Sequence, residues 1–133
     1  MKFLLDTSTC VAHLRGRWPR ASDRLAAEAA ESTLCSVVRA ELLFGVLRSA
    51  DPIGQRKTLD RFLGGVPSLG FDDAAAGHAG RIRAELAAAG TPVGPHDVLI
   101  AAIAMANGLI MVTCNTAEFE RVKGLRVEDW VGA

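Results

Sequence analysis

The hydrophobic positions of the chain fall into short continuous runs separated by longer amphipathic stretches. Runs of strand length occupy residues 3–5, 33–35 and 109–113, and a further short strand is predicted near residues 66–69. Runs that are apolar without alternation are typical of strands buried on both faces of a parallel sheet. The pattern therefore predicts a parallel sheet that is covered by helices on both sides.

The stretches between these runs predict five helices. Their approximate bounds are residues 23–30, 36–48, 52–63, 72–89 and 97–105. Ser36 is expected to cap the second helix, and Gly90 to end the fourth in the left-handed conformation that glycine adopts readily. The last helix is apolar all round and is expected deep in the core. Alternating strands and helices in 133 residues predict one α/β domain over residues 1–133, with three layers.

Composition and charge exclude several classes of protein. Lys and Arg together number 15, as do Asp and Glu, so the chain is neither a generally basic nucleic-acid coat nor polyacidic. The most apolar stretch, residues 98–105, is too short to span a bilayer, and the run before Asp6 is too short for a signal peptide. Cys10, Cys35 and Cys114 form no CxxC pair, which predicts free buried thiols. We therefore expect a cytoplasmic protein with no membrane partner.

Four acidic residues stand at the ends of predicted elements or inside an apolar helix. Asp6 follows the first strand, Asp97 begins the most apolar helix, and Glu118 lies just beyond the strand at residues 109–113. Glu41 lies within an apolar helix, where an unpaired carboxylate is costly to bury. Because open parallel sheets bind ligands at the carboxyl ends of their strands, these acids can meet at one edge.

Three of these acids also have a simpler structural explanation, whereas Glu41 is harder to explain in this way. Asp6 could cap the turn after its strand, Asp97 could complement a helix dipole, and Glu118 could form a capping-box analogue with Asn115. A true cluster of carboxylates would repel unless a cation neutralised it, and oxygen ligands select Mg²⁺ or Mn²⁺. From the residues alone, the sequence predicts a candidate Mg²⁺ site for phosphoryl transfer or nuclease chemistry.

Four ordered segments carry a resemblance to a known family. They are FLLDTS (3–8), SVVRAELLFG (36–45), GPHDVLIAA (94–102) and LIMVTCNTAEFERV (109–122). Together they resemble the PIN-domain ribonucleases, in particular the VapC-type toxins of bacterial type II toxin–antitoxin pairs. The resemblance implies a PIN-like α/β/α fold with a twisted parallel sheet of about five strands. It also implies endoribonuclease activity on transfer or ribosomal RNA, a homodimer, and a VapB-like antitoxin as inhibitor.

The resemblance assigns roles to individual residues. Asp6 and Asp97 would bind Mg²⁺, or Mn²⁺, directly, and Glu41 would complete the catalytic set through a water or by orienting the nucleophile. Thr7 and Thr113 would support these residues with hydroxyl hydrogen bonds.

One position departs from the family pattern. Many PIN domains carry an acid where this chain has Asn115, whose carbonyl oxygen can ligate a hard cation but adds no charge. Glu118, or less favourably Glu120, is expected to supply the fourth carboxylate, so Asn115 does not indicate a dead site. His96 adjoins Asp97, but no catalytic role is predicted for it.

A basic segment follows the first acidic motif. Arg15, Arg17 and Arg20 are predicted either to contact RNA phosphates or to form an ordinary solvated surface. The alternatives to a toxin nuclease are an inactive PIN-fold module that binds RNA or protein, and a housekeeping PIN nuclease of RNA processing. The presence of Asp6, Glu41 and Asp97 favours an enzyme over the inactive module.

Overall fold

The structure is a computed structural model, and it describes residues 1–132. Its strands are β1 (Phe3–Leu5), β2 (Ser32–Cys35), β3 (Ser68–Leu69), β4 (Ile110–Val112) and β5 (Val127–Glu128). Its α-helices are α1 (Thr7–Arg15), α2 (Pro19–Ala27), α3 (Ser36–Leu47), α4 (Pro52–Gly64), α5 (Asp73–Ala89), α6 (Pro95–Ala106) and α7 (Thr116–Phe119). Within the described residues, no helix combines the length and the apolar character needed to cross a membrane.

All five strands form one parallel sheet in the order β3-β2-β1-β4-β5. Phe3 of β1 pairs with Ser32 on one side and with Ile110 on the other. The three central strands are fully buried, whereas the two edge strands are partly exposed. The predicted α/β class and the sheet of about five strands are therefore confirmed.

The strand order changes direction between β1 and β4. The chain runs outward from β1 through β2 to β3, and then returns to build β4 and β5 on the opposite side. Such a switch point leaves a crevice at the carboxyl ends of the two central strands, because their connections leave in opposite directions. The fold thus offers a ligand position directly after Leu5 and Val112.

Helix α6 carries much of the core, as its composition predicts. Val98 and all five residues from Ile100 to Ala104 are buried, and α6 packs against α5. Burial of a large aliphatic side chain stabilises a fold by about 1.5–3 kcal/mol. This helix therefore holds Asp97, in its first turn, on a rigid element.

Several local predictions need correction. The helix expected at residues 23–30 is α2 followed by a 3-10 turn at Ala29–Glu31, and α1 was not predicted. Ser36 is the first helical residue rather than the cap, since Cys35 holds the cap position. The Ser36 hydroxyl instead donates to the carbonyl oxygen of Leu69 at 3.4 Å. Gly90 ends α5 with φ of 68°, as predicted.

The cysteines are free among the described residues, and two of the three are buried as expected. Cys114 is exposed, which contradicts the prediction of a buried thiol. It follows β4 at the carboxyl edge of the sheet, where the chain has already left the core.

Candidate active site

Asp6 lies at the switch point, directly after β1. Its backbone N–H donates to the carbonyl oxygen of Val112 at 3.0 Å, which extends the pairing of β1 with β4. Its side chain is 3% exposed and caps α1, because Oδ1 accepts from the N–H of Thr9 at 3.0 Å. The simple capping explanation is therefore correct for one oxygen of Asp6.

Two hydroxyl groups complete the surroundings of this carboxylate. Ser8 donates to Oδ1 at 2.7 Å, and Thr113 donates to Oδ2 at 2.5 Å. Thr113 also accepts from the N–H of Asn115 at 2.9 Å, so its hydroxyl is fixed from both sides. Burial raises the pKa of Asp6, and the hydrogen bonds from Thr113, Thr9 and Ser8 lower it again. The result is a carboxylate with a fixed orientation.

The hydroxyl support comes partly from a residue that the sequence analysis did not select. Thr7 does not make its predicted hydrogen bond, since its Oγ1 is buried without a partner. Ser8 makes the bond to Asp6 instead, and its Oγ accepts from the N–H of Cys114 at 3.0 Å. A hydroxyl two positions after a helix-capping acid lies within reach of that acid, so the spacing makes Ser8 a candidate beside Thr7.

Asp97 and Glu118 form the second pair of acids. Their side chains lie within hydrogen-bonding reach of each other, and Glu118 Oε1 accepts from the N–H of Gly94 at 3.0 Å. Burial, together with the negative charges of Glu118, Glu41 and Asp6, raises the pKa of Asp97 to about 6. The other three acids therefore all act on Asp97, and we call Asp6, Glu41, Asp97 and Glu118 the carboxylate cluster.

The structure distinguishes between the candidates for the fourth acid. Glu120 is exposed after the end of α7, whereas Glu118 contacts Asp97. Asn115 precedes α7 without a capping hydrogen bond from its side chain, so the capping-box explanation of Glu118 is not supported. Asn115 and Glu118 line the same shallow pocket.

Glu41 faces the cluster from α3. Its Oε1 is buried and has no hydrogen-bond partner. The residue lines two open pockets, of about 740 and 480 Å³. Arg15 lines the second of these pockets with Glu41, whereas Arg17 and Arg20 are exposed and do not line it. Of the three predicted RNA-contacting arginines, only Arg15 is thus brought next to the cluster.

The donor set of the cluster fits a hard divalent cation. Carboxylate oxygens are the ligands that such ions select, and an unpaired buried oxygen on Glu41 is costly without a positive partner. Within residues 1–132, however, no three acidic, His or Cys side chains are placed to hold a metal ion as they stand. Mg²⁺ nevertheless needs only one or two protein carboxylates, because it retains several of its waters.

Comparison with known proteins gives a consistent result. The family model described as "PIN domain" matches residues 3–125. The tRNA(fMet)-specific endonuclease VapC of Shigella flexneri is 42% identical over 130 residues, which are 98% of each chain. Among solved structures, a DNA-bound VapBC from Salmonella typhimurium has a TM-score of 0.93 at 39% identity, covering 98% of each chain. VapBC2 of Rickettsia felis, bound to a promoter DNA fragment, has a TM-score of 0.91 at 32% identity, covering 98% and 99%.

Proposed function

The chain belongs to the PIN-domain family, and within it to the VapC ribonucleases, and on this basis we propose that it is a metal-dependent endoribonuclease toxin. The observation that carries the proposal is the carboxylate cluster at the switch point of the sheet. There, burial and three acids that are distant in the sequence together raise the pKa of Asp97. A cluster held in this way is costly unless it serves a cation, and phosphodiester cleavage uses such a cation.

Asp6 and Asp97 would hold Mg²⁺, or Mn²⁺, with Glu41 and Glu118 beside them. The bound ion would neutralise charge on the phosphodiester and make a water more acidic. Asp6 is already oriented for this task by Thr113 and Ser8. The unpartnered Oε1 of Glu41 can accept a hydrogen bond from the attacking water and orient it.

The reaction is a hydrolysis. The oxygen of water attacks phosphorus, the bond from phosphorus to the 3′ oxygen breaks, and the products carry a 5′-phosphate and a 3′-hydroxyl. The leaving 3′ oxygen takes up a proton from solvent, and the attacking water releases one.

The substrate and the inhibitor are proposed from the relatives. The Shigella protein is a tRNA(fMet)-specific endonuclease by name, so transfer RNA is the first substrate class to test. Several solved relatives are VapBC assemblies, one of them described as a toxin–antitoxin system. We therefore propose a VapB-like antitoxin that places a positive side chain in the acidic site. The cytoplasm, where transfer RNA occurs, is the proposed location, and the homodimer stays a prediction.

The test is cleavage of total cellular RNA by the purified full chain, without antitoxin, in Mg²⁺, in Mn²⁺ and in EDTA. Discrete cleavage that needs metal is expected for the wild type. Asp6→Ala and Asp97→Ala should lower the rate by about a hundredfold or more, since each removes a group that acts on the transition state. Glu120→Gln is the matched control, because it neutralises an exposed acid outside the cluster.

The outcomes separate the alternatives. Equal cleavage by wild type and both alanine variants would place the activity outside this site. An absence of cleavage with every metal, from protein that remains folded by circular dichroism, would favour the inactive interaction module instead.

A further inference from the structure

An open pocket of about 740 Å³ adjoins the carboxylate cluster, between the starts of α1, α3 and α6. Much of its wall is apolar, formed by Val37, Ala40 and Leu99. Glu41 belongs both to the pocket and to the cluster. The volume lies in the range of sites that bind small organic groups, roughly 300–1,000 Å³. Anything bound there would therefore lie next to the position of the reacting phosphate.

The pocket also has polar groups without partners. Among residues 1–132, Thr7 Oγ1 and Glu41 Oε1 are the two buried side-chain oxygen or nitrogen atoms that make no hydrogen bond. Both residues line this pocket. A buried polar atom without a partner costs about 1–3 kcal/mol, so a ligand with hydrogen-bonding groups at its edge is favoured over a purely apolar one.

An exposed aromatic ring stands at the same pocket. Phe44 lines it and is 61% exposed. The guanidinium of Arg48, one turn further along the chain, lies 5.6 Å from the centre of the Phe44 ring. An aromatic face for a base together with an arginine for the backbone is the combination that single-stranded nucleic acids bind. An apolar protein segment would use the ring, but it carries no phosphate for the guanidinium to bind.

We propose that this pocket receives a nucleobase of the RNA that flanks the cleaved phosphodiester, with Phe44 as the stacking surface. The base plane would lie on the Phe44 ring, its polar edge would meet Thr7 Oγ1, and Arg48 would face the RNA backbone. The inference rests on the proposed ribonuclease function and deepens it, because it assigns part of the substrate specificity to one side of the cluster. Phe44 is a binding residue in this proposal, and it takes no part in the chemistry.

The first experiment measures single-turnover cleavage against enzyme concentration, on an RNA hairpin that contains the cut found in total RNA. Phe44→Leu is expected to raise the concentration for half-maximal rate by roughly 5- to 150-fold, the range for loss of one stacked base, and to leave the saturating rate within about twofold. Phe44→Trp should retain tight binding. Leu47→Ala is the matched control, because Leu47 is 67% exposed on the same helix but does not line the pocket.

The second experiment identifies the base. Abasic nucleotides are placed one at a time on both sides of the cut. At the position whose base occupies the pocket, the abasic RNA should bind weakly to the wild type and equally weakly to Phe44→Leu. The reason is that the effects of removing the two partners of one stacking contact are not additive. The binding arm uses fluorescence anisotropy in EDTA, so it does not depend on catalysis.

The contrary outcomes are distinct. If the wild type cleaves RNA and Phe44→Leu matches it, or if no abasic position removes the difference, the nucleobase pocket is wrong and the nuclease stands. A Phe44→Leu variant that binds RNA normally but changes oligomeric state would show a protein interface here, which also overturns the proposal. If the wild type shows no cleavage, the proposed function fails. RNA binding by anisotropy that is equal for wild type and Phe44→Leu would then rule out the nucleobase pocket as well.

Discussion

The two aspartates of the carboxylate cluster are held in opposite ways. Asp6 accepts hydrogen bonds on both oxygens, from a backbone N–H and two hydroxyl groups, and is almost fully buried. Asp97 is half-buried, and its neighbours are other acids, chiefly Glu118. The fold thus completes the surroundings of one aspartate and leaves the other facing negative charge.

The difference agrees with the metal-dependent site that we propose. A ligand that is satisfied by the fold can keep its orientation before any ion arrives. A group of mutually repelling acids provides the negative field that attracts the ion and is relieved by it. We infer that Asp6 fixes the position of the site, whereas the repulsion between Asp97 and its acidic neighbours favours the binding of a cation.

The largest loss of stability is expected at Asp6, where the Oδ2 oxygen depends on a single hydrogen-bond donor. Thr113 is the hydroxyl donor to Oδ2 of Asp6 and is fully buried. Thr113→Val keeps the shape but leaves a buried carboxylate oxygen unsatisfied, so the free energy of unfolding should fall by about 1–3 kcal/mol. Urea denaturation at pH 7 measures the loss.

Thr113→Ser is the control for this prediction, because it restores the hydroxyl and removes only a methyl group. It should recover most of the lost stability. A Thr113→Val protein as stable as the wild type would show that the hydrogen bond to Asp6 does not support the fold.

A smaller effect is expected on the other oxygen of the same carboxylate. Oδ1 accepts from both Ser8 and the N–H of Thr9, so it keeps one donor when Ser8 is lost. Ser8→Ala should therefore lower the free energy of unfolding by only about 0.5–1 kcal/mol. The same urea experiment compares the two variants, and a loss larger than that of Thr113→Val would reverse the assignment of Oδ2 as the less protected atom.

Much of this arrangement was predictable from the sequence. The continuous apolar runs predicted the buried central strands, and acids after Leu5 and beyond β4 predicted the edge where they meet. Strand β5 was not located, because its two residues are partly exposed and form no apolar run. Helix α1 was missed because it is short, and Thr7, Thr9 and Val11 within it are β-branched residues, which lower helix propensity.

The finer contacts of the site depend on side-chain direction, which sequence spacing does not fix. Thr7 and Ser8 are adjacent hydroxyl residues at the start of α1, and the backbone turns the second of them toward Asp6. Similarly, Glu118 and Glu120 lie two residues apart, and the short helix α7 directs only the first toward Asp97. Choosing between such neighbours requires the tertiary structure.

The smallest predicted effect concerns Asp97, and it is a gain in stability rather than a loss. Asp97→Asn removes one negative charge from the cluster and keeps a donor for Glu118. In EDTA at pH 7.5 the variant should melt about 1–3 °C above the wild type, a small gain because solvent screens a half-buried group. Differential scanning calorimetry measures it, with Glu120→Gln as the control that should gain less.

The pH dependence of that gain separates repulsion from a general effect of the substitution. The pKa of Asp97 is about 6 in the folded protein against an ordinary value of 3.8, so the folded state binds this proton more tightly than the unfolded state. The contribution of Asp97 to the stability of the wild type therefore rises as the pH falls from 7 towards 4, while the amide of the Asp97→Asn variant has no proton to gain. The advantage of the variant should shrink over this interval and vanish near pH 4. An advantage that stays constant with pH would mean that Asp97 does not carry the repulsion that distinguishes it from Asp6.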